Sequence, residues 1–354
     1  MNNAFPTDYV VPMVFPDDPE WQRDLRRASR GPYSDPDGVR YRSWGTEHLL
    51  VQCIRTFMPW LRNIIIILAR ESQIQSWMFP MIDGDITSSR HNGITPKIRI
   101  VFHRDFMPPE ALPTFNSRAM EMFLHCIPGL ADHFLYANDD MFPLAPLAPT
   151  DFFREPPVPA ASPALSAVSG SPADKATVSA ASPALSAPSG FPAGALPCQH
   201  MTTKPFPQHP NNFQAACMGG LNFVASEFGQ HFTDTWLKNG HSIAPILKSS
   251  CHHLWQRDPD RITASLSPFR EPKNFNQYIY AWYQHLSGQY IDHTPRTCLL
   301  KAHTDSPADM VTAILDPQNQ IVCINDHEAC INYHRHATMV ADAINRRLNA
   351  YSTY

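Results

Sequence analysis

The order of apolar segments predicts an α/β protein: a mainly parallel sheet with helices on both faces. Three observations carry this. The run NIIIILA at 63–69 is continuous and β-branched, as expected of a strand covered on both sides. Apolar segments of strand and helix period follow one another as strand, helix, strand, strand, helix, strand. Three short apolar runs end in acid: VVPMVF before Asp17 and Asp18, FLYA before Asn138, Asp139 and Asp140, and IVCI before Asn325 and Asp326. In open α/β sheets, ligands bind outside the carboxyl ends of strands, so these acids would converge if the strands lie side by side.

Tyr9 to Phe15 reads as a buried strand, with Pro12 marking an edge or a bend. The segment RYRSW, Arg40 to Trp44, leads into a helix in which Leu49, Leu50, Cys53, Ile54, Phe57 and Trp60 keep a helical period until Pro59 disturbs it. Residues 71–96 are irregular. Lys97 to Phe102 is the next strand, and it runs into His103, Arg104 and Asp105. The stretch from Ala111 to Phe142 organises the chain. Asn116 and Ser117 can cap a helix whose Met120, Phe123, Leu124 and Ile127 form one apolar face, and Pro128 and Gly129 end it. Phe134 to Ala137 then forms a buried strand that delivers Asn138, Asp139 and Asp140. Two adjacent carboxylates there require a cation or an ionic ligand to compensate them.

Beyond Asp151 the composition changes. From 156 to 197 the chain is almost entirely Ala, Pro, Ser and Gly, and AASPALSAVSGSPA at 160–173 recurs as AASPALSAPSGFPA at 180–193. Such a stretch buries too little apolar surface to offset its ordering entropy, so a disordered loop is expected between two halves of one domain, 1–155 and 198–354. After it come a helix from Phe213 to about Phe232 and Arg270 on a loop. A helix cored by Ile279, Trp282, Tyr283 and Leu286 follows, then the strand Ile321 to Ile324 and a last helix through Leu348. Cys251, His252 and His253 are contiguous and lack a partner pair at zinc spacing, so they make a weak metal motif.

The formal net charge of −4 argues against a polyanion surface, so no nucleic-acid partner is expected. Eight cysteines occur without a C-x-x-C pair, which points to a reducing compartment. The N-terminus lacks a signal pattern, and Ile64 to Ala69, the longest apolar run, is too short for a bilayer. The expected location is cytoplasmic, at most peripheral at the inner face of the membrane. The convergent hard oxygen ligands suit magnesium or manganese carrying a diphosphate, against the alternative that Asp and Asn simply make turns after strands.

The segment LPTFNSRAMEMFLHCIPGLADHFLYANDDMF closely resembles the second conserved region of the Stealth proteins, sugar-1-phosphate transferases of bacterial capsule synthesis related to N-acetylglucosamine-1-phosphotransferase. DYVVPMVFPDDPEW resembles the first region through Asp8, Val10, Val14, Asp18 and Trp21, with Arg42, Ser43, Trp44, Glu47 and Arg55 on the helix that follows. QHPNNF through SPFREPKNFNQYIYAWYQHLSG looks like the third region, with His209 and Arg270 on its key positions, and CINDHEA is similar to the fourth. The resemblance implies a Rossmann-like nucleotide-sugar transferase core that moves a hexose 1-phosphate from a UDP-sugar to a hydroxyl of a sugar or polysaccharide acceptor, releasing UMP. It implies catalytic roles for Asp140, His209 and Arg270. Asp139, Asp140 and Asp326 would hold a divalent cation, and Asp18, Arg42, Arg104, Asn116, Ser117, Asn138 and Asn325 would contact substrate. Two other readings use the same residues: a glycosyltransferase releasing UDP, and a protein that binds a sugar nucleotide without turnover.

Overall fold

The computed structural model describes residues 5–29, 39–82, 96–156, 194–330 and 332–352. In chain order the elements are β1 (Thr7–Pro12), α1 (Pro19–Ala28), α2 (Glu47–Phe57), β2 (Asn63–Leu68), α3 (Phe79–Ile82), β3 (Lys97–Phe102), α4 (Ser117–Glu121), β4 (His133–Tyr136), β5 (Met141–Pro143) and β6 (Phe153–Arg154). They continue with β7 (Leu196–Gln199), β8 (Met201–Pro205), α5 (Asn212–Ala225), β9 (Thr235–Asn239), β10 (Ala244–Leu247), α6 (Lys248–Arg257), α7 (Pro259–Ser265) and α8 (Tyr278–Leu286). The last are β11 (Ile291–Asp292), β12 (Thr297–Lys301), α9 (Pro307–Leu315), β13 (Ile321–Asn325) and α10 (Tyr333–Ser352).

A five-stranded sheet in the order β10-β4-β1-β2-β3 forms the centre. Its first four strands in sequence pair in parallel, and β10 adds an antiparallel edge beside β4. The alternation of side chains along β2 divides the core in two. Ile64, Ile66 and Leu68 pack with Leu49 and Ile54 of α2 and Val340 and Ile344 of α10. Ile65 and Ile67 point the other way, towards Leu221 of α5, Leu254 of α6 and Ile279 and Trp282 of α8. Every residue of β2 is buried. Each such isoleucine contributes roughly 1.5–3 kcal/mol, which is why this strand shows no polar alternation. Helices on both faces of a mainly parallel sheet match the expected α/β class.

Three expectations are corrected. The strand β13 does not lie in the central sheet: it pairs in parallel with β12 and antiparallel with β5 in a second, three-stranded sheet. The helix expected through Ile127 is only α4, followed by a 3-10 turn at Leu124–Cys126. The carbonyls that would continue it are occupied. The Tyr280 hydroxyl donates to those of Glu121 and Met122 at 3.0 and 3.2 Å, and the Trp255 indole donates to Met122 as well. The expected loop of 156–197 is bounded by paired strands, β6 against β7, so Leu196 and Pro197 are strand residues; residues 157–193 lie outside those described.

Candidate active site

The turn Asn138–Asp140 joins the two sheets, because β4 belongs to one and β5 to the other. Two antiparallel strands bring the remaining groups to it. The strand β10 runs against β4 with Ala244 opposite Tyr136, so the residues just before it arrive beside the carboxyl end of β4. His241 is one of them. In the second sheet β13 runs against β5 with Cys323 opposite Met141, and the Ile324 amide donates to the Asp140 carbonyl at 2.9 Å. The ligand atoms of Asp140, His241 and Cys323 all lie within 4.8 Å of one another. A cleft of about 990 Å³ opens over this point, lined by Asn138, Asp139, Asp140, His241, Asn325 and Asp326 among others.

The acids are electrostatically costly, as their sequence pattern implied. Burial, then the neighbouring Asp140 and Glu47, pushes the Asp139 carboxyl up to about 7. Burial raises Asp140 too, opposed by the nearby His241. Asp140 Oδ2 accepts from the Cys323 thiol at 3.5 Å, whereas its buried Oδ1 has no hydrogen-bond partner among the described residues. The same holds for His241 Nε2, while His241 Nδ1 lies 3.2 Å from the Tyr278 hydroxyl. Two buried polar atoms facing a cleft without partners mark a place where a ligand completes the bonding.

Positive groups line the same cleft. Asn116 is 2 % exposed and works as a fastener: its amide donates to the Ser267 and Phe269 carbonyls and to Asn274 Oδ1, tying the 267–274 loop to α4. That loop carries Arg270, which donates to Ser117 Oγ at 2.9 Å. Arg118 stands beside it, its guanidinium holding its proton less tightly first through burial and then through Arg270. Beneath them Glu121 is held by the Gln277 amide at 2.8 Å and the Tyr136 hydroxyl at 3.1 Å. Burial raises its carboxyl, opposed first by the Gln277 amide and then by Arg270.

The remaining expected site residues are distributed unevenly. Asn138, Asp139, Asn325, Asp326, Arg42, Asn116, Ser117 and Arg270 all line the cleft. Asp326 forms a two-pronged ion pair with Arg42, whose guanidinium also donates to the His327 carbonyl at 3.0 Å. The groups whose ligand atoms gather beside Asp140 are His241 and Cys323, while Asp326 is held by Arg42. Asp18 caps α1, accepting from the Glu20 amide at 3.0 Å and the Ser72 hydroxyl at 2.7 Å, and is not a lining residue. Arg104 pairs with Glu71 at an exposed position outside the lining. His209 is exposed on the connection from β8 to α5, also outside it. The histidine beside the acids is His241, which sequence reasoning missed because it precedes a strand, whereas every candidate acid follows one.

A divalent cation fits the acid turn in one specific way. Magnesium binds through one or two carboxylates, waters and substrate phosphates and seldom needs a full protein cage, and Asp140 Oδ1 is an oxygen donor left without a partner. The imidazole and thiol beside it are softer donors than a magnesium shell prefers.

No helix among the described residues is long and apolar enough to cross a membrane. Residues 40–160 match the family model described as Stealth protein CR2, conserved region 2. The chain is 26% identical over 324 residues to the capsular polysaccharide phosphotransferase WcwK of Streptococcus pneumoniae, covering 90% of both chains. It is likewise 26% identical over 324 residues to the receptor polysaccharide phosphotransferase WefC of Streptococcus oralis, again covering 90% of each. Against the capsular polysaccharide phosphotransferase LcbA of Aeromonas hydrophila the identity is 32% over 160 residues, 44% of this chain and 40% of that one. The matched region holds α2, the fastening Asn116 and the acid turn, and the longer alignments run across both sheets: the chain is similar to the Stealth proteins over that conserved region and to polysaccharide phosphotransferases along most of its length.

Proposed function

We propose that this protein transfers a sugar phosphate in polysaccharide synthesis: a hexose 1-phosphate passes from a UDP-sugar to a glycan hydroxyl, and UMP leaves. The observation that carries the reading is that His241 Nε2 and Asp140 Oδ1, both buried and without partners among the described residues, lie in a cleft also lined by Arg118 and Arg270. The names of the relatives support the class of reaction.

In this reading His241 works on the acceptor. With its Nδ1–H donated to the Tyr278 oxygen, Nε2 presents a lone pair and takes the proton of the attacking hydroxyl. Burial holds the Tyr278 hydroxyl far above its ordinary value, so it stays protonated and keeps the imidazole oriented. The hydroxyl oxygen attacks the phosphorus that bears the sugar, the bond to the bridging oxygen of the diphosphate breaks, and UMP carries that oxygen away. Arg270 and Arg118 bind phosphate oxygens in planar forks, with Ser117 holding the first in place. Asp140 with Asp139 would hold a divalent cation, which when bound neutralises the diphosphate. We place this activity in the cytoplasm, where sugar nucleotides are made.

The deciding measurement is product analysis with a panel of UDP-sugars, a glycan acceptor and magnesium. UMP together with a phosphodiester-linked glycan is expected. Release of UDP would replace this reading with glycosyl transfer, and binding without either nucleotide product would leave only a sugar-nucleotide-binding protein.

A further inference from the structure

Resting on the transfer reading above, we propose that the β8–β9 ribbon is the acceptor subsite and that it selects a glycan bearing an anionic group, phosphate or carboxylate, close to the attacked hydroxyl. The strands pair with Thr202 opposite Lys238 and Lys204 opposite Trp236. Directly opposed residues share a face and side chains alternate every second residue, so these four form one face of the ribbon. All four line the cleft. Trp236, 8 % exposed and packed edge-on against Phe206, gives that face an apolar floor. Lys204 and Lys238 stand exposed on it.

Neither charge has a carboxylate partner among the described residues. Among the described residues the lysine with a carboxylate partner is Lys273, on Glu271. Of the acids that line the cleft, Asp326 is engaged by Arg42 and Glu121 by Gln277 and Tyr136. The chain also gives the ribbon a direction. β9 passes through Asn239 and Gly240 to His241, all of them lining the cleft, and three residues of extended chain reach no further than about 10 Å. A hydroxyl held at His241 therefore belongs to a ligand lying along this face. Arg118 and Arg270, on α4 and the 267–274 loop, line the same cleft as the two lysines of the ribbon, so two elements supply it with positive groups, enough for two anions. The donor diphosphate takes the first, and an anionic acceptor accounts for the second.

Binding without donor separates this inference from the transfer reading. Oligosaccharides of one length in phosphorylated, uronate-bearing and neutral forms are titrated calorimetrically into the full chain. The anionic forms should bind about tenfold more tightly than the neutral one, as expected for charge-assisted contacts, and lose that advantage at about 0.5 M salt. Preference for the phosphorylated or the uronate form identifies which anion the site takes. The double variant Lys204→Gln, Lys238→Gln should abolish the difference while keeping affinity for the UDP-sugar, and Lys204→Arg, Lys238→Arg should restore it. Equal binding of neutral and anionic forms, no binding of any form, or an undiminished preference in the glutamine variant overturns the proposal. If the preference holds while no UMP is ever formed, the ribbon assignment stands and the transfer reading fails.

Discussion

Asp140 and Asp326 invite comparison. Both follow short apolar strands, both line the same cleft, and in the chain each is preceded by asparagine or aspartate. Their surroundings divide them. Asp326 is clamped by both prongs of Arg42, an arginine only 13% exposed, while Asp140 sits beside a second carboxylate with one oxygen lacking a partner among the described residues. An acid at a strand end is thus only raw material. The counter-charge supplied by distant chain decides whether it braces the fold or waits for a ligand.

Breaking each acid in turn should expose the difference. Asp140→Asn preserves shape but removes charge, and it should lower the transfer rate by on the order of a hundredfold or more with little change in melting temperature. Asp326→Asn should do the reverse. Removing one partner of a half-buried pair leaves Arg42 uncompensated, so stability should fall by about 1–3 kcal/mol, while the rate drops less than in the first variant. Similar rate losses in both would erase the distinction. The histidines sharpen the same point at the next level of effect. His241→Ala should cost roughly a hundredfold in kcat with donor KM little altered, whereas His209→Ala, at an exposed position outside the cleft, should stay within about twofold. Steady-state kinetics of the two variants side by side decides which histidine serves the acceptor.

The smallest effect is one of pH. Because the folded protein holds the Asp139 carboxyl up to about 7, the folded state binds its proton more tightly than the unfolded chain does. That contribution to stability is fully present below about pH 4 and is lost as the pH rises through 7. Asp139→Asn, which cannot ionise, should therefore raise stability at pH 8 by on the order of 2 kcal/mol, a figure discounted for the side chain's remaining contact with solvent. The gain should shrink to nothing near pH 4. Thermal melts at several pH values test this, and saturating magnesium should narrow the gap at pH 8 by stabilising the charged wild-type turn. A pH-independent difference would mean that Asp139 carries no such burden.

Much of this was legible in the chain because local chemistry determined it. The isoleucines of β2, the asparagine that opens α4 and the acid turn after β4 each depend on neighbours a few residues away. What escaped notice depends on antiparallel partners far along the chain. β10 returns beside β4 about a hundred residues later, and only that pairing sets His241 against Asp140. The pairing of β13 with β5 likewise moved Asp326 out of the central sheet and into the reach of Arg42. Asn116 was readable as a helix cap, and it is one, accepting from the Arg118 amide at 3.2 Å. Its second task, holding the loop of Arg270, is written in Ser267, Phe269 and Asn274, about 150 residues away.

The short pairing of β6 with β7 has a consequence for how this chain can change over generations. Arg154 faces Leu196 and Phe153 faces Pro197, and the Cys198 amide reaches the Phe152 carbonyl at 2.7 Å. The two flanks of the duplicated segment, 160–193, are thereby stapled together by residues outside it. A tandem duplicate such as the one at 160–173 and 180–193 is a sequence that can gain or lose copies. With its flanks already joined, each such event alters chain length between β6 and β7 and not within a described strand that builds the cleft. The junction is a socket into which passenger sequence can be spliced, leaving this stretch to drift while the acid turn and its histidine stay in place.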